Sequence, residues 1–299
     1  MRMTIRHPQV WFGVSLVTIA LGLIIIFGLR PTWGIDFVGG SLLEVPAESG
    51  SSAAIRQVLK DGFNLSSTIQ PTGDGTLLVR TEVIDGATHQ GILTRLSEAG
   101  LTSGEELRFE TIGPTIGKEL RRRSLVAIAL ALAAIILYLA YTFRGIKGLV
   151  APWQLGLAAV YALLHDLVVV TAVFVILGMI WQAPVDTLFV TALLAILGYS
   201  VNDTIVLFDR MKTEWLKNRS MGLWEVLHIA FDKSLTRTLN TSLTTALVLV
   251  TLLIWGGSTI RWFVVALLIG AISGTYSSLF VAAPFLYKLS GQSDDDNSA

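Results

Sequence analysis

Cysteine is absent from the 299 residues, which excludes disulfide staples and any thiolate or Cys-zinc chemistry. Charge is scarce: Asp, Glu, Lys and Arg make up 15% of the chain against 53% hydrophobic residues, far from the averages of water-soluble domains. What charge there is balances, 22 basic against 22 acidic residues, so the sum points neither to nucleic acid nor to an acidic partner. No Gly-rich phosphate loop occurs, so no nucleotide is expected to bind, and neither a metal nor another cofactor is expected. The composition that remains is that of an α-helical membrane protein.

Crossing roughly 30 Å of hydrocarbon takes about twenty apolar residues. Six such runs are predicted, near 10–29, 124–143, 149–178, 185–208, 237–255 and 262–287. The first follows Arg2 and Arg6, but it is too long for a cleaved leader and lacks a small-x-small cleavage site, so it reads as a retained anchor. With the N-terminus inside, the inner segments hold Arg2, Arg6, Arg144, Lys147, Arg210, Lys212, Lys217, Arg219, Lys233 and Lys288, while the short outer loops hold only Arg261. Both termini are therefore expected in the cytoplasm. The chain divides into 1–30 (N-terminal segment and first span), 31–120 (an extracytoplasmic domain), 121–208 (spans two to four), 209–234 (a cytoplasmic connector), 235–289 (the last two spans) and 290–299 (a disordered acidic tail).

The extracytoplasmic segment alternates strand-like and helix-like patterns: SLLEVPA, then SAAIRQVLKDGF, then two strands around Gly73-Asp74-Gly75, then ATHQGILTRLSEAG, then EELRFETIG. The order βαββαβ predicts a ferredoxin-like α+β domain. Its His89 and its carboxylates lack ligand or triad spacing and are expected on a solvated surface. The connector mixes Trp215, Trp224, Leu216, Leu223, Val226, Leu227 and Phe231 with basic residues, and is expected to form an amphipathic helix at the lipid headgroups, with His228 as an interfacial residue. Gly270 and Gly274 give a GxxxG spacing suited to close helix packing.

Polar residues inside the spans carry most of the functional signal, because a central Asp or Arg costs roughly 2.5–3.5 kcal/mol in lipid. The third span contains His165 and Asp166, and the fourth Asn202 and Asp203. On the fifth, Arg237, Asn240, Thr241, Thr244 and Thr245 share a face, which must turn to other helices or to water. Asp203 lies five residues before Phe208, roughly 7.5 Å of helix rise, and Arg237 lies near the start of the returning helix. Their depths match, so Arg237 or a hydrated cavity is expected to take up the charge of Asp203. For Asp203 and Arg237 an ion or proton pathway explains the inventory better than mere helix adhesion, while His165 and Asp166 fit either reading equally.

Four segments, GIDFVGG (34–40), HD (165–166), GYSVNDTIVLFDR (198–210) and LTRTLNTSLTT (235–245), resemble, together and in order, the SecD/SecF family of protein-export membrane proteins within the resistance-nodulation-division (RND) superfamily. The resemblance implies six transmembrane helices of RND half-transporter type. It implies a place beside SecD and the SecYEG translocon in the bacterial inner membrane, where a proton or sodium gradient helps an exported polypeptide across. It places the family's acidic relay residue at Asp203 and its basic one at Arg237, with Asn202, Asp166, His165, Thr241 and Thr245 as further relay candidates by position. The rival readings are an RND-type exporter of small amphiphiles or lipids, a passive translocon scaffold, and an enzyme. An intramembrane aspartyl protease could draw on Asp166 and Asp203, but GYSVND lacks the Gly-x-Gly-Asp setting and an Arg beside one carboxylate opposes a shared proton. No enzymatic activity is expected.

Overall fold

The computed structural model describes residues 8–72, 75–144 and 148–291. Gly73 and Asp74 of the expected turn, together with Arg2, Arg6, Lys147 and positions 292–299 of the expected tail, lie outside the described residues. Among the described residues, six helices are long and apolar enough to cross a membrane. They belong to α1 (Pro8–Gly28), α5 (Pro114–Thr142), α6 (Pro152–Trp181), α7 (Thr187–Lys217), α8 (Leu223–Trp255), and α9 (Arg261–Phe280) with its continuation α10 (Ala282–Leu289). Between α1 and α5 come the short turn α2 (Ile35–Val38) and then β1 (Gly40–Pro46), α3 (Ser52–Phe63), β2 (Ser67–Pro71), β3 (Thr76–Thr81), α4 (Gly86–Glu98) and β4 (Arg108–Ile112).

The four strands form one antiparallel sheet in the order β2-β3-β1-β4, the split-βαβ arrangement that the sequence pattern predicts. Strand alternation gives the sheet two unlike faces. Leu43, Val45, Ile69, Leu77 and Val79 point under α3 and α4, where they meet Ile55, Leu59, Ile92 and Leu96 in a buried core. Neighbouring positions turn Leu42, Glu44, Leu78, Arg80, Arg108 and Glu110 to the opposite face, toward the helix bundle. Gly100 takes φ +63° just past α4, the left-handed stop that its glycine permits.

His89 departs from its expected place on a solvated surface. It sits one turn before Ile92 on the inward stripe of α4 and is buried; its ring stacks 3.8 Å from that of Phe109, and its Nε2 lies 2.7 Å from Glu106 Oε2. The flanking apolar residues, and not its own polarity, decide its side.

In the bundle, α6, α7 and α9 form the buried centre and α1, α5 and α8 flank it. The GxxxG pair of α9 packs within this chain: a Cβ on Gly270 would lie 2.2 Å from Ile196 Cδ1, and one on Gly274 2.9 Å from Ser200 Cβ, so glycine lets α9 touch α7. Helix α9 stops at Phe280 because the ring of Pro284 conflicts with the carbonyl four residues back.

The connector does not form a separate helix. Helix α7 runs on to Lys217, and α8 already begins at Leu223. Met211, Trp215, Leu223, Val226, Leu227 and Phe231 are buried against Leu139, Phe143, Leu286 and Tyr287. Their helical spacing gives an apolar face that the bundle itself covers. Glu214 clamps the hairpin, with Lys217 Nζ at 2.8 Å and Lys233 Nζ at 2.9 Å. His228 is half-buried, edge-on to Trp224 at 4.8 Å.

Candidate functional site

Two buried carboxylates share the centre of the bundle. Asp166 on α6 is fully enclosed. Ser200 of α7 and Ser277 of α9 donate to its Oδ2 at 2.6 and 2.7 Å, and Ser273 of α9 donates to Oδ1 at 2.6 Å. His165 Nδ1 lies 3.3 Å from the same Oδ1. A carboxylate has about four acceptor sites, so this one is saturated. Nε2 of His165 is buried without a hydrogen-bond partner among the described residues.

Asp203 lies three residues beyond Ser200, just under one turn of α7, and is 4% exposed. Its Oδ2 is buried and accepts no hydrogen bond among the described residues. Arg237 exerts a Coulombic influence on it, but among the described residues no salt bridge of 4.0 Å or less joins them. Arg237 is exposed on α8. So are Asn240 and Thr244, while Thr241 and Thr245 are half-buried, with Thr241 Oγ1 donating to the Arg237 carbonyl at 3.0 Å. Asn202, beside Asp203 in sequence, faces outward. Of the expected relay residues, the fold thus brings Asp166, His165 and Asp203 together inside, and leaves Asn202 and Arg237 on the surface of the chain.

The inner face of α8 is a neighbouring polar stripe. Ser234 and Thr238 are buried, and Ser242, one turn on, accepts from Tyr199 Oη at 3.2 Å and from Thr275 Oγ1 at 2.5 Å. Sequence reasoning missed Ser273, Ser277, Ser242 and Thr275. Ser273 and Ser277 stand four apart beside the GxxxG glycines, which is the signal that could have placed them opposite α7.

Comparison with known proteins matches the chain to one family. A family model described as "Protein export membrane protein SecD/SecF, C-terminal" matches residues 93–292, and one described as "SecD/SecF GG Motif" matches residues 24–50. The chain is 37% identical over 296 residues to the protein translocase subunit SecF of Thermobaculum terrenum, covering 94% of this chain and 92% of the relative. It is 34% identical to the SecF of Pseudomonas aeruginosa, covering 98% of this chain and 92% of the relative. Among solved structures, it superposes on SecDF from Thermus thermophilus, titled a translocon-associated membrane protein, with a TM-score of 0.82 at 29% identity. That match covers 95% of this chain but only 38% of the SecDF chain.

Proposed function

The chain belongs to the SecD/SecF family of protein-export membrane proteins, and on that premise we propose that it is a multi-pass subunit that assists polypeptide export, with Asp203 of α7 loading and releasing a cation drawn by the gradient across the bacterial inner membrane. Its termini lie in the cytoplasm and its sheet domain on the far side. SecD is its complementary half, and SecYEG supplies the channel for the exported polypeptide. No covalent bond is made or broken by this subunit.

The observation that carries the reading is the contrast at the bundle centre: Asp203 is buried with an oxygen left unpartnered among the described residues, whereas its neighbour Asp166 has every acceptor site filled. An intramembrane carboxylate with spare acceptor capacity can take up a proton or sodium ion without first breaking a network. Arg237, Asn240 and Thr244 form an exposed polar stripe that lipid would not accommodate, so the complementary half is expected to cover it and to complete the relay. One proton falling through 100 mV releases about 2.3 kcal/mol, roughly a fiftyfold bias on a two-state equilibrium. On loading, the influence of Arg237 on Asp203 weakens and α7 shifts against α8.

The test is export in reconstituted vesicles containing the whole complex, with and without an imposed gradient. Asp203→Asn should remove the gradient-stimulated component, a loss of roughly tenfold or more, while leaving ATP-driven export intact at equal membrane abundance. Undiminished stimulation by the gradient in that variant refutes the relay.

A further inference from the structure

Strand β4 passes into α5 through Gly113 alone, so the first turns of α5 lie between the sheet domain and the apolar run that begins at Ser124. Residues 124–143 carry no charge, whereas four of the six residues before them are basic: Lys118, Arg121, Arg122 and Arg123. Arg123 Nε donates to Glu119 Oε1 at 2.7 Å, and that pair cancels. Lys118, Arg121 and Arg122 are exposed, and none has a carboxylate within 4.0 Å among the described residues. Lys and Arg close to spans normally collect on the cytoplasmic side. Three uncompensated cations at the sheet-domain end therefore call for an anion there.

Depth and face both fit a lipid. Arg122 stands two residues and Lys118 six residues before Ser124, roughly 3 and 9 Å of helix rise, and a headgroup layer is roughly 5–7 Å deep. At helical spacing Lys118 and Arg122 share a face with Leu125, Val126, Ala129, Ala133 and Leu137, all of them exposed. Polarity along this stripe runs from cation to hydrocarbon, the order in which a phospholipid runs from phosphate to acyl chain. The exposed stripe of α8 differs, because Arg237, Asn240 and Thr244 carry polar groups on into the span and so suit another protein helix.

Trp33 stands beside the cations. It is 40% exposed, and its ring centre lies 5.8 Å from the Arg121 guanidinium. Its segment is pinned to the start of α7: Gly34 N donates to Val185 O at 2.9 Å and Val185 N to Thr32 O at 2.7 Å. In the same junction Asp36 Oδ2 accepts from Thr187 N and Asp186 Oδ1 from Phe189 N, each at 2.9 Å. Indole rings gather at headgroup depth, so a fixed Trp marks the same layer as the cations.

We propose that the first turns of α5 bind an anionic phospholipid, its phosphate held by Lys118, Arg121 and Arg122 beside Trp33 and its acyl chains lying along Leu125, Val126 and Ala129. Only the choice of leaflet rests on the orientation proposed above; the site itself is independent of the relay.

The chain has no cysteine to remove, so Ala129→Cys can carry a single small bimane fluorophore at the site, and Leu247→Cys on α8, 60% exposed, one at a control position. The full chain is placed in vesicles of phosphatidylglycerol and phosphatidylcholine in equal amounts. Only the lipid that bears brominated chains, which quench on contact, is exchanged between samples. At position 129 brominated phosphatidylglycerol should quench as though enriched roughly threefold or more over phosphatidylcholine, as a cluster of surface cations predicts. At position 247 the two lipids should quench alike. Lys118→Gln combined with Arg122→Gln should bring the ratio at 129 to one, while Lys118→Arg with Arg122→Lys should preserve it. A ratio of one in the parent, or a preference that survives the double Gln variant, would overturn the site. So would its collapse in millimolar inorganic phosphate at fixed ionic strength, the mark of a site for free anions, or its loss when SecD is co-purified with the chain, the mark of a protein interface. Asp203→Asn should leave the ratio unchanged, so failure of the relay and failure of this site are read separately.

Discussion

Asp166 and Asp203 lie in the same helix bundle, with Ser200 bonded to the first and three residues from the second, yet the chain equips them oppositely. Asp166 collects three serine hydroxyls and a histidine from α6, α7 and α9. Asp203, nearly as deep, keeps a buried oxygen with no partner among the described residues. Buried polar groups in native proteins are overwhelmingly satisfied, and the exceptions collect where a group must change state. The difference separates a carboxylate that ties three helices together from one that, on the function proposed above, is the switched group.

The comparison breaks most readily at its saturated member. Asp166→Ala removes the acceptor of Ser200, Ser273 and Ser277 together. Each stranded buried donor costs about 1–3 kcal/mol, and Ser277 can recover part of this through the Gly274 carbonyl at 3.3 Å. We expect a net loss of about 3 kcal/mol, read as a lower apparent Tm and lower membrane abundance, with Asp166→Asn milder because one acceptor oxygen survives. A variant as stable as the parent would mean that Asp166 is not the tie it is drawn as. Next in size is the contact that holds α9 on α7. Gly270→Ala places a methyl 2.2 Å from Ile196 Cδ1 and should cost about 2 kcal/mol, with recovery when Ile196→Ala is combined with it. Lack of recovery would show that the damage lies in the backbone of α9 and not in its fit against α7.

The spans, the βαββαβ order and the two buried acids were legible in the sequence because each rests on a strong local signal: apolar run length, a change of period from two to 3.6, a carboxylate inside lipid. What was not legible depends on rotation about a helix axis and on tertiary cover. In LTRTLNTSLTT every residue but Leu235, Leu239 and Leu243 is polar, so the stripe through Ser234, Thr238 and Ser242 and the one through Arg237, Asn240 and Thr244 have equal claim to the interior, and packing chose the former. The same ambiguity put Asn202 outward beside an inward Asp203. His89 looked solvated because its polarity outweighed its helical spacing with Ile92 and Leu96, which sets it inward, and the Phe109 ring that stacks on it comes from a distant strand. Asp36 and Asp186 are 150 residues apart, and only the folded junction of sheet and bundle shows that both serve one helix end.

The smallest expected change in stability belongs to Asp203→Asn, and this is what sharpens the comparison. The amide is nearly isosteric, and no hydrogen bond or ion pair of Asp203 to a described residue is lost, so the stability, read from the apparent Tm, should stay within about 0.5 kcal/mol of the parent. Asn cannot carry a negative charge or exchange a cation near neutral pH, so the gradient-driven part of export should vanish at the same time. The pair of measurements is diagnostic because a packing residue gives the opposite result, a large stability loss with function following abundance, as Asp166→Ala should. If Asp203→Asn instead destabilised the bundle as much as Asp166→Ala, both acids would be helix ties, and the switched group would have to be sought elsewhere on α7.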